Sequence, residues 1–200
     1  LKDGAPYVLD DNLIVYEDGP TTKPPILNIQ SGVTLKFRKG KYLQIGSGGV
    51  NETGGLNAKK TTFTAFDSNL KWEGIRIKNG ASDTKTVFDS VIVENAEYGI
   101  NLDGSQPIIK GSKFRFNRVG IYLNDASNTY AIGGAASRSN YFYNNLNLAI
   151  ENYESKPINF HCTESTKSLK TECRSRSSIT FFSIFPNFIH IPAPPSLGFR

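Results

Sequence analysis

The chain has 200 residues, 38% of them hydrophobic and 20% charged, with 18 Gly and a formal charge of +5, which suffices for one sizeable core. The basic residues form no stripe interleaved with stacking aromatics, so nucleic-acid binding is not expected. No segment reaches the roughly 18 consecutive apolar residues of a membrane helix; Ile179 to Ile191, the best candidate, is shorter and contains Pro186.

In chain order, Tyr7-Val8-Leu9 and Leu13-Ile14-Val15-Tyr16 come first and are expected to cover an open N-terminal edge. Ile26-Leu27-Asn28-Ile29, Val33-Thr34-Leu35-Lys36-Phe37 and Tyr42-Leu43-Gln44-Ile45 then alternate as strands, with Ser31-Gly32 and Arg38-Lys39-Gly40 as turns. Gly46-Ser47-Gly48-Gly49 reads as a turn, because it lacks the Lys-Ser/Thr of a phosphate loop and the helix of a dinucleotide site. Thr62-Phe63-Thr64-Ala65-Phe66 is a further strand, and Trp72 reads as core or cap in preference to a ligand platform.

From here a small residue followed by Ile opens a short alternating strand four times: Gly74-Ile75-Arg76-Ile77, Gly99-Ile100-Asn101-Leu102, Gly120-Ile121-Tyr122-Leu123 and Ala149-Ile150-Glu151-Asn152. The spacing is similar but not constant, shortest from Gly99 to Gly120 and longest from Gly120 to Ala149. A second strand precedes each of the last three, at Val91 to Asn95, Phe114 to Asn117 and Tyr141 to Asn144. Each ends on Asn, a residue that suits a tight corner, so Asn95, Asn117 and Asn144 or Asn145 are expected to stack as an internal ladder. A third strand type is marked by Pro107-Ile108-Ile109 and Pro157-Ile158-Asn159, and the excess length from Ala126 to Ser139 is expected to protrude as a loop.

Three series that keep step with one another, at the repeat length of a stacked supersecondary unit, define a solenoid of three-stranded coils. The expected fold is all-β: a right-handed parallel β-helix of about six coils over residues 1–161, including an N-terminal cap, then an irregular tail or cap over 162–200. The run from Val33 to Ile158 resembles right-handed parallel β-helix repeat proteins of the pectate-lyase-like group. The resemblance is carried by Val33-Thr34-Leu35-Lys36-Phe37, Trp72-Glu73-Gly74-Ile75 and the recurring Asn then Gly-Ile pattern. It implies a secreted or cell-surface location. It does not imply one activity, because the group includes lyases, hydrolases, epimerases and non-catalytic binding domains.

If the Gly-Ile strands share a sheet, Ile75, Ile100, Ile121 and Ile150 face inward, and two columns face solvent. These are Arg76, Asn101, Tyr122 and Glu151, and Lys78, Asp103, Asn124 and Tyr153, the candidate ligand-binding face. The only acids in them, Asp103 and Glu151, stand two coils apart in different columns, a marginal fit to the pair a glycosidase needs. Arg76 and Lys78 offer a lyase positive charge, but no acidic cluster beside them would hold calcium. The expectation is a non-catalytic module that binds a polysaccharide, a cell-surface glycan or a partner, or acts as a spacer, with no metal and no cofactor. An enzyme acting on an acidic polysaccharide, as a lyase or glycoside hydrolase, is the second reading. Cys162 and Cys173 would form one disulfide in an oxidising compartment, with free thiols as the alternative; His161 and His190 lack the paired spacing that zinc ligands adopt.

Overall fold

The structure, a computed structural model, describes residues 6–19, 23–49, 53–125, 131–132, 140–153, 159–160, 162–164, 174–175 and 180–181. The chain winds in coils of three strands. The first coil is β1 (Tyr7–Leu9), β2 (Leu13–Val15) and β3 (Ile26–Ile29), and the second is β4 (Thr34–Phe37), β5 (Tyr42–Ile45) and β6 (Gly54–Lys59). Next come β7 (Thr62–Ala65), β8 (Trp72–Ile77) and β9 (Ala81–Asp89), then β10 (Ile92–Glu94), β11 (Ala96–Asp103) and β12 (Ile108–Lys110). Further strands are β13 (Lys113–Arg115), β14 (Val119–Asp125), β15 (Ala131–Ile132), β16 (Asn140–Tyr143), β17 (Leu148–Asn152), β18 (Asn159–Phe160), β19 (Cys162–Glu164), β20 (Arg174–Ser175) and β21 (Thr180–Phe181).

Strands three apart in the chain pair in parallel from one coil to the next, except β12 and β15, which do not pair. The first sheet runs β1-β4-β7-β10-β13-β16-β19, and the second runs β2-β5-β8-β11-β14-β17-β20. The third face is a four-stranded sheet of β3, β6, β9 and β12, followed by a separate three-stranded sheet of β15, β18 and β21. The expected all-β parallel solenoid is therefore what forms, but four turns, not about six, carry an unbroken third face. Beyond them the first two sheets run on for three more strands each. No helix among the described residues is long and apolar enough to cross a membrane.

The N-terminal strands cover the edge of β4 and β5 by pairing with it. β1 and β2 pair in parallel with β4 and β5, Tyr7 opposite Leu35 and Leu13 opposite Leu43, so they are its first coil. Two strands absent from the sequence reading, β6 and β9, build the third face. The alternation in β6 is carried by Gly54-Gly55-Leu56-Asn57-Ala58-Lys59, which has no β-branched or aromatic residue to announce a strand. Of the expected loop, Ala131 and Ile132 form β15; the rest of it, together with Cys173, lies outside the described residues.

The core follows from period-two alternation stacked in register. Leu13, Leu43, Ile75, Ile100, Ile121 and Ile150 stand opposite one another along the second sheet, and the four Ile are buried as the alternation requires. In the first sheet Leu35, Phe63, Val93, Phe114 and Phe142 form the matching column. Phe114 and Phe142 stack with centroids 5.0 Å apart. Trp72 is core: fully buried, stacked on Phe37 at 4.2 Å, with Nε1 donating to the Glu94 carbonyl at 2.9 Å.

The corners carry the polar part of the interior. Asn117 donates from Nδ2 to the Val93 carbonyl and accepts at Oδ1 from the Ala96 N–H. Asn145 makes the same pair of bonds one coil on, to the Phe114 carbonyl and the Asn117 N–H. This is the expected amide ladder, built from Asn117 and Asn145. Asn95 and Asn144 are not part of it. They hold left-handed backbone at φ 59° and 55°, as Phe116 does at 57°, and the ladder position after Asn95 is taken by Ala96. A second buried ladder at another corner joins Asn140 to Ser112: Asn140 Oδ1 accepts from the Ser112 N–H and its Nδ2 donates to the Ile109 carbonyl.

Among the described residues, three buried hydroxyls make no hydrogen bond, those of Ser47, Thr53 and Thr86. Thr86 stands opposite Leu56 in the third sheet, is fully buried, and its Oγ1 makes no hydrogen bond. An unsatisfied buried hydroxyl costs about 1–3 kcal/mol against an apolar group of the same shape. Thr86→Val is therefore expected to raise the unfolding free energy by about 1 kcal/mol, read as a higher urea midpoint at unchanged slope. A lower midpoint would show that the hydroxyl is satisfied after all.

Candidate functional site

The outward face of the second sheet brings the candidate columns together as the alternation requires. Gln44, Arg76, Asn101, Tyr122 and Glu151 stand opposite one another in β5, β8, β11, β14 and β17. The second column is less regular. Lys78 Nζ lies 2.7 Å from Asp103 Oδ2, and Asn124 Nδ2 lies 3.5 Å from Asp103 Oδ1, so these three meet. A shift of register after Leu102, however, places Asp125 opposite Asp103 where simple counting gives Asn124. Tyr153 follows β17, bonds through its N–H to the Leu123 carbonyl, and is 67% exposed.

A third column, missing from the sequence reading, completes the face: Tyr42, Gly74, Tyr98, Val119 and Leu148 stand opposite one another. Gly99 and Gly120 hide its signal, because they are extra residues between Tyr98 and Ile100 and between Val119 and Ile121. They break the two-residue alternation at the point where the Gly-Ile series begins each strand. Gly74 itself is required by its neighbour. A Cβ there would lie 1.6 Å from the Tyr98 carbonyl oxygen, and its φ is +106°.

Aromatic rings and cations interleave along this face. The Arg76 guanidinium lies 3.9 Å over the Tyr42 ring and Arg118 lies 4.4 Å over Tyr98, while the Tyr98 and Tyr122 centroids are 4.8 Å apart. Each cation also has a carboxylate: Arg76 with Glu73 at 3.5 Å, Lys78 with Asp103 at 2.7 Å, and Arg118 with Glu97 at 2.9 Å. The three cations are thus each matched by an acid, and the flat surfaces of the face are held in place by the cations stacked on them. Partial burial, with Glu151, Tyr98 and Tyr153 nearby, pushes the Tyr122 phenol up despite the opposing effect of Arg118, so it is a neutral donor at physiological pH. Asn101 lies between Arg76 and Tyr122 in the column, with its Oδ1 buried and lacking a donor.

For acid and base work the arrangement is poor. Asp103 is held by Lys78 and Asn124, and Glu151 stands two strands away in the column of Tyr122. At about 4.8 Å per strand, the strands that carry these two acids lie roughly 10 Å apart, just beyond the carboxyl separation of inverting hydrolysis.

The fold and this face define a parallel β-solenoid with an extended aromatic and polar surface. No family model, no curated protein and no solved structure matches the chain.

Proposed function

We propose that the chain is a non-catalytic β-solenoid module of a secreted or cell-surface protein, and that it holds an extended glycan along the outward face of its second sheet. The observation that supports this most is the run of Tyr42, Tyr98 and Tyr122 with Arg76 and Arg118 stacked on two of the rings. Flat faces of this kind suit the apolar faces of sugar rings, while Asn101, Asn124 and the Tyr122 hydroxyl offer hydrogen bonds. Because Glu73, Asp103 and Glu97 already neutralise the cations, stacking and hydrogen bonding would carry more of the affinity than charge. Neutral and acidic glycans should therefore be retained comparably, and added salt should weaken retention little.

The test is retention on a glycan panel by the parent chain and by the Arg76→Ala, Tyr122→Ala double variant. The variant is expected to lose retention. Its melting temperature should fall by only a few degrees, because both side chains are partly exposed and the ion pair lost with Arg76 is a surface one. Equal retention by parent and variant, or none by the parent, would sink the proposal.

A further inference from the structure

Asn79-Gly80 is the one place in the sequence where Asn precedes Gly. The pair forms the corner between β8 and β9, in a turn closed by the Ala81 N–H donating to the Lys78 carbonyl at 2.8 Å. That bond passes over the two central residues. Asn79 is exposed, and among the described residues nothing hydrogen-bonds its side chain or the Gly80 N–H. Other amides are engaged: Asn117, Asn140 and Asn145 are buried and bonded to the main chain, and Asn95 donates to Thr64 Oγ1.

The corner thus sets a nucleophile beside an electrophile. Bonding of the Gly80 nitrogen to Asn79 Cγ closes a five-membered ring, and Gly80 has no Cβ to shield that nitrogen. Neither residue is locked in left-handed backbone. The next coil lies directly against the side chain, since a Cβ added at Gly104 would come 3.1 Å from both Cγ and Oδ1 of Asn79. The amide therefore rests one residue from Asp103, whose Oδ2 accepts from Lys78 Nζ at 2.7 Å.

We infer that Asn79 is a site of spontaneous deamidation, and that the change sets a second carboxylate beside the Lys78 and Asp103 pair. The Gly80 N–H gives its proton to a solvent base, the nitrogen bonds to Cγ of Asn79, and the Cγ–Nδ2 bond breaks as ammonia leaves. Water then opens the cyclic imide. Breaking the new bond between nitrogen and Cγ gives aspartate; breaking the bond between that nitrogen and the main-chain carbonyl carbon gives isoaspartate, whose backbone runs through the former side chain. The sum is amide plus water to acid plus ammonia, with nothing oxidised or reduced. Either product is negative where the amide was neutral, so two acids then compete for Lys78. Isoaspartate also lengthens the main chain within a turn held at both ends, by the Lys78 N–H on the Ile45 carbonyl at 2.9 Å and by the Ala81 N–H on Lys78.

Peptide mapping of the folded chain after incubation at mildly alkaline pH tests this directly. Cleavage after Glu73 and Glu94 releases Gly74 to Glu94, in which Asn79 is the one amide side chain. The expected result is that this peptide gains the mass of replacing NH by O, faster as pH rises, and separates into aspartate and isoaspartate forms. Asn79→Gln, which would need a six-membered ring, should lose the gain. Gly80→Ala should slow it several-fold by crowding the nitrogen; should that variant not fold, Asn79→Gln decides alone. A folded parent whose peptide stays unchanged, a gain that needs prior unfolding in urea, a gain that survives Asn79→Gln, or one as fast in Gly80→Ala as in the parent would each overturn the inference.

Discussion

Gly74→Ala is expected to cost the solenoid about 3 kcal/mol or more, enough to unfold a marginal domain. Two effects act together, and their sizes can be compared. The backbone at Gly74 is left-handed, with φ +106°, a conformation that costs a side-chain-bearing residue about 1–3 kcal/mol. The added Cβ would also sit 1.6 Å from the Tyr98 carbonyl oxygen and 2.8 Å from its carbon. Those atoms are backbone of the next coil, fixed by the pairing of Tyr98 with Gly74 and of Ile100 with Ile75, so they cannot swing aside as a side chain tip would. Gly40→Ala supplies the control: its φ is +72° with nothing within 4 Å of the added carbon, so it should lose only the conformational part, about 1 kcal/mol. Urea titrations of both variants separate the terms. Equal losses would show that the neighbouring coil can yield.

Asn117→Leu is the second large loss, about 3–5 kcal/mol, by the following reckoning. The amide is buried and satisfies the Val93 carbonyl and the Ala96 N–H at 3.0 Å each. Leucine fills a similar volume and leaves both groups buried without partners, at about 1–3 kcal/mol apiece. The damage should spread along the axis, since Asn145 bonds the backbone N–H of Asn117 and bridges to Phe114. Native-state hydrogen exchange reads this out: the Ala96 and Asn117 amides should lose protection before those of the Ile77 and Ile100 core. A loss below about 1 kcal/mol would mean that water takes over the amide's bonds.

The parts of the fold legible in the sequence are those where one residue type has one physical use. The Gly-Ile series is readable because Gly74, Gly99 and Gly120 each face a backbone oxygen of the next coil, and Ile75, Ile100 and Ile121 fill one buried column. Asparagine misleads because it has two uses here. Asn95 supplies left-handed backbone, Asn117 supplies a buried amide, and both stand at strand ends. β9 escapes a sequence reading because Ser82, Asp83, Thr84 and Lys85 look like a loop, and only pairing with β6 on one side and β12 on the other makes the segment a strand. For the site, the Arg76 to Glu151 column follows from alternation alone. Tyr98 and Arg118 do not, because a register shift at Gly99 depends on the neighbouring coil and leaves no mark on the residues themselves.

Coil length varies while coil spacing does not. Val93 stands opposite Phe63 on one side and Phe114 on the other, reached through unequal lengths of chain, yet all three belong to one continuous sheet. The hydrogen bonds thus set the pitch of this screw, near about 4.8 Å per coil, and leave its circumference free. Whatever is spliced into a corner widens the thread without lengthening the shaft. Seven strands in the second sheet mark off a graduated scale of about 29 Å, and Tyr42, Arg76, Tyr98 and Tyr122 keep their places on it however the corners grow.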